Sequence, residues 1–435
     1  MIWSEALALL LGAILVLMAI GMPVALAFLA ANILGAWLFM GGERGVTQLL
    51  NNGLGALTSY ALVPIPLFLL MGELFFHTGL GGRMFGAIDR LLGRVPGRLS
   101  YVTVLGGTGF ATLSGSSMGA TALLGSLMAP EMSRRGYARH MSLGPILGTG
   151  GLAIIIPPSA LAVLLATLAK VDISALLLAG VVPGLLLACL YMGVIWLQTR
   201  LDPDAAPAYA VETIPLGARL RLLLRDVAPM IGVMVVIVLM MLYGLATPSE
   251  AAAFGAVGVL LLAGAYRCLS WEAVRRSVRG ALRVTLMAYL IVFGSATFSQ
   301  IMAFSGASPG LIRWATGFDL SPTFMLLAMF GALLLLGMFM EQISMMLLTV
   351  PVFFPLAAQL GFDPVWFALI MLLGLEIGFT TPPFGLLLFV MKGVAPPDTT
   401  MRDIYLAALP YIGCSLLLVG LLIVAPGIAL WLPGR

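Results

Sequence analysis

The sequence predicts an all-α polytopic membrane protein, built as an inverted repeat with two re-entrant helical hairpins and two broken helices. Three observations predict it. The chain of 435 residues is 61% hydrophobic and only 9% charged, whereas soluble domains carry about 25% charged residues. Charge-free runs cover 6–42, 99–130, 141–169, 173–199 and 404–434, and about 20 apolar residues suffice for a helix to cross a bilayer. One offset of 225 residues carries Pro23 onto Pro248, Pro130 onto Pro355 and Pro157-Pro158 onto Pro382-Pro383. A single offset recurring at separated prolines points to a duplicated chain. The apolar runs lack two-residue alternation, which excludes a transmembrane β-barrel.

The elements follow in order. Segments 4–20 and 24–40 read as two spans joined at Gly21-Met22-Pro23, since proline suits the first turn of a helix. Segment 44–57 is less apolar and reads as lying along the interface. A third span covers 58–78. Arg83, Arg90, Arg94 and Arg98 then precede the run 99–130, and Arg134, Arg135 and Arg139 follow it. A single crossing would put one basic cluster on the wrong side of the membrane. Entering and returning keeps both in the cytoplasm, so 99–130 reads as a re-entrant hairpin with its tip near 114–117. Irregular backbone at that depth must line a cavity or be buried in protein. Segment 141–170 carries glycines at 148, 150 and 151 and then Pro157-Pro158, which predicts a span broken into two half-helices. Segment 173–199 returns to the cytoplasm.

The second half repeats the plan. Spans 227–247 and 249–265 join at Pro248, 270–283 is amphipathic, and 284–304 is a span. The second hairpin covers 322–360 with its tip near 340–344, and the second broken helix covers 364–392, interrupted at Thr380-Thr381-Pro382-Pro383. Segment 404–432 closes the chain. The expected organisation is a first repeat at 1–200, with scaffold helices 1–98, hairpin 99–130 and broken helix 141–170. A cytoplasmic linker at 201–226 leads to a second repeat at 227–435, with scaffold helices 227–304, hairpin 322–360 and broken helix 364–392.

Charge sets the orientation. With the N-terminus outside, 18 of the 22 Lys and Arg residues fall in cytoplasmic segments, leaving Arg44, Lys170, Arg313 and Arg435 outside. The opposite orientation reverses this bias. The first hairpin then opens to the cytoplasm and the second to the outside. No basic residue precedes Arg44 and the first run carries Glu5, so that run reads as a retained helix rather than a signal peptide. The net charge of +4 is a topology signal and implies no nucleic-acid partner. Cys189, Cys268 and Cys414 are too scattered for a disulfide framework or a metal site.

Inverted repeats, each with a hairpin and a broken helix, are the signature of a secondary transporter. Substrate and coupling ions are expected near the midplane. Half-helix N-termini suit an anion, and unwound carbonyls suit a hard cation such as sodium. The candidate sodium ligands are Ser114, Gly115, Ser116 and Ser117 at the first tip, and Gly150, Ile154 and Pro157 on the first broken helix. Glu341 and Gln342 at the second tip, with Thr380, Thr381 and Pro382 on the second broken helix, complete that set. The candidate substrate contacts are Ser117, Thr121, Pro158, Ser159, Glu376 and Pro383. Small hydroxyl residues also let helices pack closely, so any one serine has either role, while the whole Ser-Gly-Ser-Ser tip favours function. Glu341 and Glu376 are isolated acids inside apolar runs, which are functional by default. Either can ligate a cation, carry a proton or order the fold. Glu73 and His77 read as interface residues, and Glu250 as a first-turn charge favoured by the helix dipole. No GxxxxGK[ST] loop and no catalytic constellation occurs, so the chain does not read as an enzyme.

Several segments together resemble a known family. They are S-G-S-S-x-x-x-T-A-x-x-G-S-x-M-x-P-x-M-x-R-R-G-Y from Ser114, I-I-P-P-S ending at Ser159, and L-A-G-V-V-P-G-L-L-L ending at Leu187. T-P-S-E-A-A-A from Thr247, G-M-F-M-E ending at Glu341 and T-P-P-F-G-L-L-L-F from Thr381 continue the match over nearly the whole chain. They resemble the large membrane subunit of TRAP (tripartite ATP-independent periplasmic) transporters. The resemblance implies an elevator-type transporter in the bacterial inner membrane, with hairpins and broken helices moving against a scaffold. It implies sodium-coupled uptake of an organic acid, with Na+ as coupling ion and no other cofactor. It also implies two partners, a small membrane subunit of about four helices and a soluble periplasmic substrate-binding protein. A stand-alone ion-coupled carboxylate carrier of the same superfamily is the alternative. Many relatives carry Asp where this chain has Ala120 and Glu341.

Overall fold

The computed structural model describes residues 2–93, 95–207, 215–317 and 320–434, without the side chains of 113, 114 and 316. Arg94, Arg435, the side chain of Ser114 and part of the expected linker lie outside the described residues. Among the described residues every regular element is helical. The first half runs α1 (Trp3–Ala19), α2 (Val24–Phe39), α3 (Glu43–Leu57), α4 (Pro64–His77) and α5 (Leu80–Leu91). It continues with α6 (Arg98–Ser114), α7 (Ser117–Arg134), α8 (Arg139–Ile155), α9 (Ala160–Ala169) and α10 (Ile173–Leu201). The second half runs α11 (Leu216–Leu222), α12 (Ala228–Leu242), α13 (Pro248–Ala265), α14 (Trp271–Phe304) and α15 (Ala307–Thr316). Then come α16 (Pro322–Gly337), α17 (Gln342–Gln359), α18 (Pro364–Thr380), α19 (Leu386–Val394), α20 (Met401–Val424) and α21 (Gly427–Leu430). Seven of the described helices are long and apolar enough to cross a membrane, or up to eight if the bent pair α8–α9 counts as one span.

α8 and α18 form the centre. Every residue from Met141 to Ile155 of α8 and from Trp366 to Thr380 of α18 is buried. A helix that is apolar all round is stable only where protein surrounds it on every side. α8 packs on α6, α7, α10 and α20, while α18 packs on α16, α17, α20 and α10, and the two touch each other. A second body forms around α4 and α14, which pack together. α13 lies on α4, and α2 and α3 lie on α14. Asn32 of α2, fully buried, ties this body together by donating to the Gly294 carbonyl (2.8 Å) and the Thr297 hydroxyl (2.6 Å) of α14.

Four differences from the sequence reading have local causes. The amphipathic segment 270–283 and the span 284–304 are one continuous helix, α14, because no proline or glycine cluster separates them. The expected linker 201–226 is helical from Leu216 and runs through a π-turn at Leu223–Val227 into α12. α5 occupies what read as a basic connection, because Leu80, Met84 and Ile88 recur at helical spacing and are buried. α15 similarly fills the segment before the second hairpin. The π-turn carries Asp226, which accepts a hydrogen bond from Arg83 of α5, whose guanidinium lies 4.4 Å from the Tyr266 ring centroid.

Candidate functional site

The two breaks of the first half have explicit local chemistry. Gly115 closes α6 at φ +62°, a left-handed conformation that glycine adopts without a β-carbon penalty. Ser116 then turns extended and caps α7, its Oγ accepting from the Gly119 amide at 3.1 Å. In the central helix, α8 ends before Pro157-Pro158, and Ser159 caps α9 by accepting from the Ala162 amide at 3.2 Å. The two halves of that helix meet at 45°. A β-carbon at Gly115 would lie 3.6 Å from the Ala160 amide nitrogen. The N-termini of α7 and α9 therefore converge.

The second half builds its breaks differently. Glu341 precedes α17, and its carboxyl accepts from the Ser344 hydroxyl at 3.2 Å rather than capping the helix. α18 ends at Thr380, and the chain passes Pro382-Pro383 to Gly385, which precedes α19. Both X-Pro bonds, Pro157-Pro158 and Pro382-Pro383, are cis. A β-carbon at Gly385 would stand 2.7 Å from the Phe379 carbonyl oxygen and 2.8 Å from that of Thr381. Two carbonyls, one from the last turn of α18 and one just past its end, thus crowd one point at the break.

The tips and the central helices meet at Glu376. Its Oε2 accepts from Ser117 Oγ at 3.1 Å and from Gln342 Nε2 at 2.6 Å. Ser117 and Gln342 are the first residues of α7 and α17 and stand 225 positions apart, the same offset that relates the prolines. Gly151, which the same offset carries onto Glu376, is the surface against which that side chain rests. A β-carbon there would lie 3.0 Å from Glu376 Cγ and 3.1 Å from Oε1. One step away, a β-carbon at Gly150 would stand 2.4 Å from Thr121 Oγ1 and 3.3 Å from the Ser117 carbonyl. Glycine at both positions is what lets α7 and α18 close on α8.

Polar satisfaction around this cluster is incomplete. Glu376 is 5% exposed, and its Oε1 has no hydrogen-bond partner among the described residues, as is also true of Thr121 Oγ1 and Tyr411 Oη. Oxygens buried in this way are uncommon and demand a reason. Glu376, Tyr191, Tyr411 and Ser415 line a cavity of about 20 Å³, which is large enough for one water molecule. Tyr191 and Ser415 share a hydrogen bond of 2.9 Å there.

The remaining candidates sort by what they touch. Thr380 and Thr381 donate to carbonyls of their own helix, those of Glu376 (2.6 Å) and Ile377 (2.5 Å), so only their oxygen lone pairs face outward. Ile154 is fully buried in α8, and an isoleucine offers a cation only its carbonyl. Pro157 and Pro158 lie buried at the first break. Ser159 is engaged as a helix cap, and the Pro383 carbonyl accepts from Tyr405 of α20 at 2.7 Å. Pro382 sits in the second break. Ser117, Thr121, Gly150, Gln342 and Glu376 form one cluster. Glu73 and His77 pair at 3.1 Å on α4, with the Glu73 carboxyl lying against Gly280 of α14. The sequence reading missed Asn32, Tyr191, Tyr411 and Ser415. An asparagine or tyrosine inside an apolar run is a visible signal for buried polar contacts.

Comparison with known proteins gives the family. The model of the tripartite ATP-independent periplasmic transporter, DctM component, matches residues 11–428. The C4-dicarboxylate TRAP transporter large permease protein DctM of Pseudomonas aeruginosa is 34% identical over 86% of both chains. The 2,3-diketo-L-gulonate TRAP transporter large permease protein YiaN of Escherichia coli is 31% identical over 95% of both. The sialic acid TRAP transporter large permease protein SiaM of Vibrio cholerae is 28% identical over 95% of both. Among solved structures, the Alcanivorax borkumensis YdaH transporter shares the fold, with a TM-score of 0.63 at 16% identity over 89% of this chain and 90% of that one. The chain therefore belongs to the DctM family, the large membrane subunits of tripartite ATP-independent periplasmic transporters, and is a permease rather than an enzyme.

Proposed function

We propose that this chain is the moving permease of a sodium-coupled TRAP importer for an organic anion, working by an elevator motion in the bacterial inner membrane. The observation that carries this reading is the convergence of Ser117 and Gln342, one from each tip, on the single carboxyl of Glu376. Halves 1–200 and 227–435 act as inverted repeats joined by 201–226. Equivalent packing across the molecule supports this. α4 lies on α13 as α2 lies on α14, and α7 lies on α19 as α17 lies on α9. Helices within 1–98 and 227–304 form the scaffold. Hairpins 99–130 and 322–360 are re-entrant and, with broken helices 141–170 and 364–392, form the moving body.

The converging N-termini of α7 and α9 offer amide donors to a substrate anion. The hydroxyls of the first tip and the carbonyls around Gly385 offer oxygens to sodium. The substrates named for the relatives, C4-dicarboxylates, 2,3-diketo-L-gulonate and sialic acid, are organic acids. A periplasmic binding protein delivers the substrate, and a small four-helix membrane subunit buttresses the scaffold.

Packing between the two bodies breaks the symmetry and supports a state open on the side of the first hairpin. α17 packs on α14 and α15, while α7 has no comparable packing on α4 or α5. Met118, Ser126 and Leu127 of α7 are exposed, whereas their counterparts Ile343, Pro351 and Val352 are half-buried or buried. With the N-terminus outside, that open side is cytoplasmic. The test is uptake into proteoliposomes containing this chain, the small subunit and loaded binding protein. Uptake should collapse when the sodium gradient is removed, and sodium-independent uptake would defeat the coupling.

A further inference from the structure

α14 is 34 residues long, about 51 Å at 1.5 Å per residue. The hydrocarbon core of a bilayer is only about 30 Å thick. The helix therefore extends roughly 20 Å beyond it, and the extension is its N-terminal part. Its buried face there is Ala273, Ser277 and Ala281. The opposite face presents Arg275, Arg279 and Arg283, one above the other at four-residue spacing and all exposed. No carboxylate pairs with these three among the described residues, because Glu272 is engaged by Arg276. Beside them Trp271, Val278, Leu282 and Leu286 of the same helix line a shallow, open groove with the arginines along it.

We propose that this groove binds an anionic phospholipid of the cytoplasmic leaflet. The arginine stripe holds the headgroup phosphate and the apolar wall holds an acyl chain. Unpaired arginines are matched by a phosphate anion, which takes guanidinium in a bidentate geometry. Arg283 lies at the start of the apolar span and Arg275 about 12 Å further out along the axis, so the three sample headgroup depth. Arginine near an anionic surface strengthens binding by about fivefold per residue. The stripe meets the cytoplasmic leaflet in the orientation proposed above. Lipid binding is read without transport, so failure of one leaves the other standing.

The test uses the full chain in mixed micelles and native mass spectrometry, with phosphatidylglycerol and phosphatidylcholine as competing probes. The wild type should retain phosphatidylglycerol preferentially, and added salt should weaken that preference. Removing all three charges (R275Q, R279Q and R283Q together) should lower the preference by on the order of 100-fold. The triple Arg→Lys variant, which keeps the charge, should retain most of it. An unchanged preference in the neutral variant overturns the site. So does a variant that keeps its lipid but no longer retains the small membrane subunit, because the groove would then belong to a protein partner.

Discussion

Removing both Ser117 and Gln342 should destabilise the chain by more than the two single losses together. Each residue donates one hydrogen bond to the same oxygen, Glu376 Oε2. Ser117→Ala leaves Gln342 as donor, and Gln342→Met, which keeps the side-chain length, leaves Ser117. Each single variant therefore loses one net hydrogen bond, about 1 kcal/mol. In the double variant the carboxyl has no donor left among the described residues, because Oε1 has no partner there either. A buried acceptor without a partner costs about 1–3 kcal/mol more. The double variant should then lose about 3–5 kcal/mol, with an interaction term of 1–3 kcal/mol between residues that stand 225 positions apart. The assay is a double-mutant cycle on the purified chain, read by denaturant unfolding in mixed micelles. Repeating it in a Glu376→Met background should abolish the interaction, since the shared acceptor is gone. Additivity within about 0.5 kcal/mol in the wild-type background would refute the claim that both tips depend on one carboxyl.

Further predictions follow from single contacts. A β-carbon at Gly337 would stand 2.5 Å from the Gly378 backbone, so Gly337→Ala should cost about 1–3 kcal/mol and lower the thermal midpoint. Gly393→Ala, with nothing within 4 Å, should be neutral or stabilising by up to about 1 kcal/mol. Ser116→Ala removes the cap of α7, at about 1 kcal/mol, and should raise the sodium concentration needed for half-maximal uptake. An unchanged sodium response in both Ser116→Ala and Ser117→Ala counts against the first tip as an ion site. Arg83→Ala leaves the buried Asp226 carboxyl without its guanidinium and should cost about 2 kcal/mol in unfolding measurements. Asp226→Ala should cost less, because the half-exposed Arg83 can be resolvated.

Composition and spacing alone determined much of this protein. Long charge-free runs leave no route but membrane-spanning helices, because unpaired backbone is too costly in lipid. Prolines at a constant offset locate the breaks, because proline lacks the amide that a continuous helix needs. Both proline breaks and the turn between α6 and α7 appear at the residues where Pro157-Pro158, Pro382-Pro383 and Gly115-Ser116 place them. Helix ends were less legible: the join within α14 carries no breaker to read, and Pro215, which precedes α11, reads equally as part of a linker. The meeting of Ser117, Gln342 and Glu376 was decided only by the tertiary structure. Each was visible as a polar residue in an apolar run, but nothing local says that two donors on different helices, α7 and α17, share one oxygen. That follows from packing α7 and α18 on the glycines of α8, with α17 against α18, where Gly150 and Gly151 leave room for Thr121 and for the carboxyl.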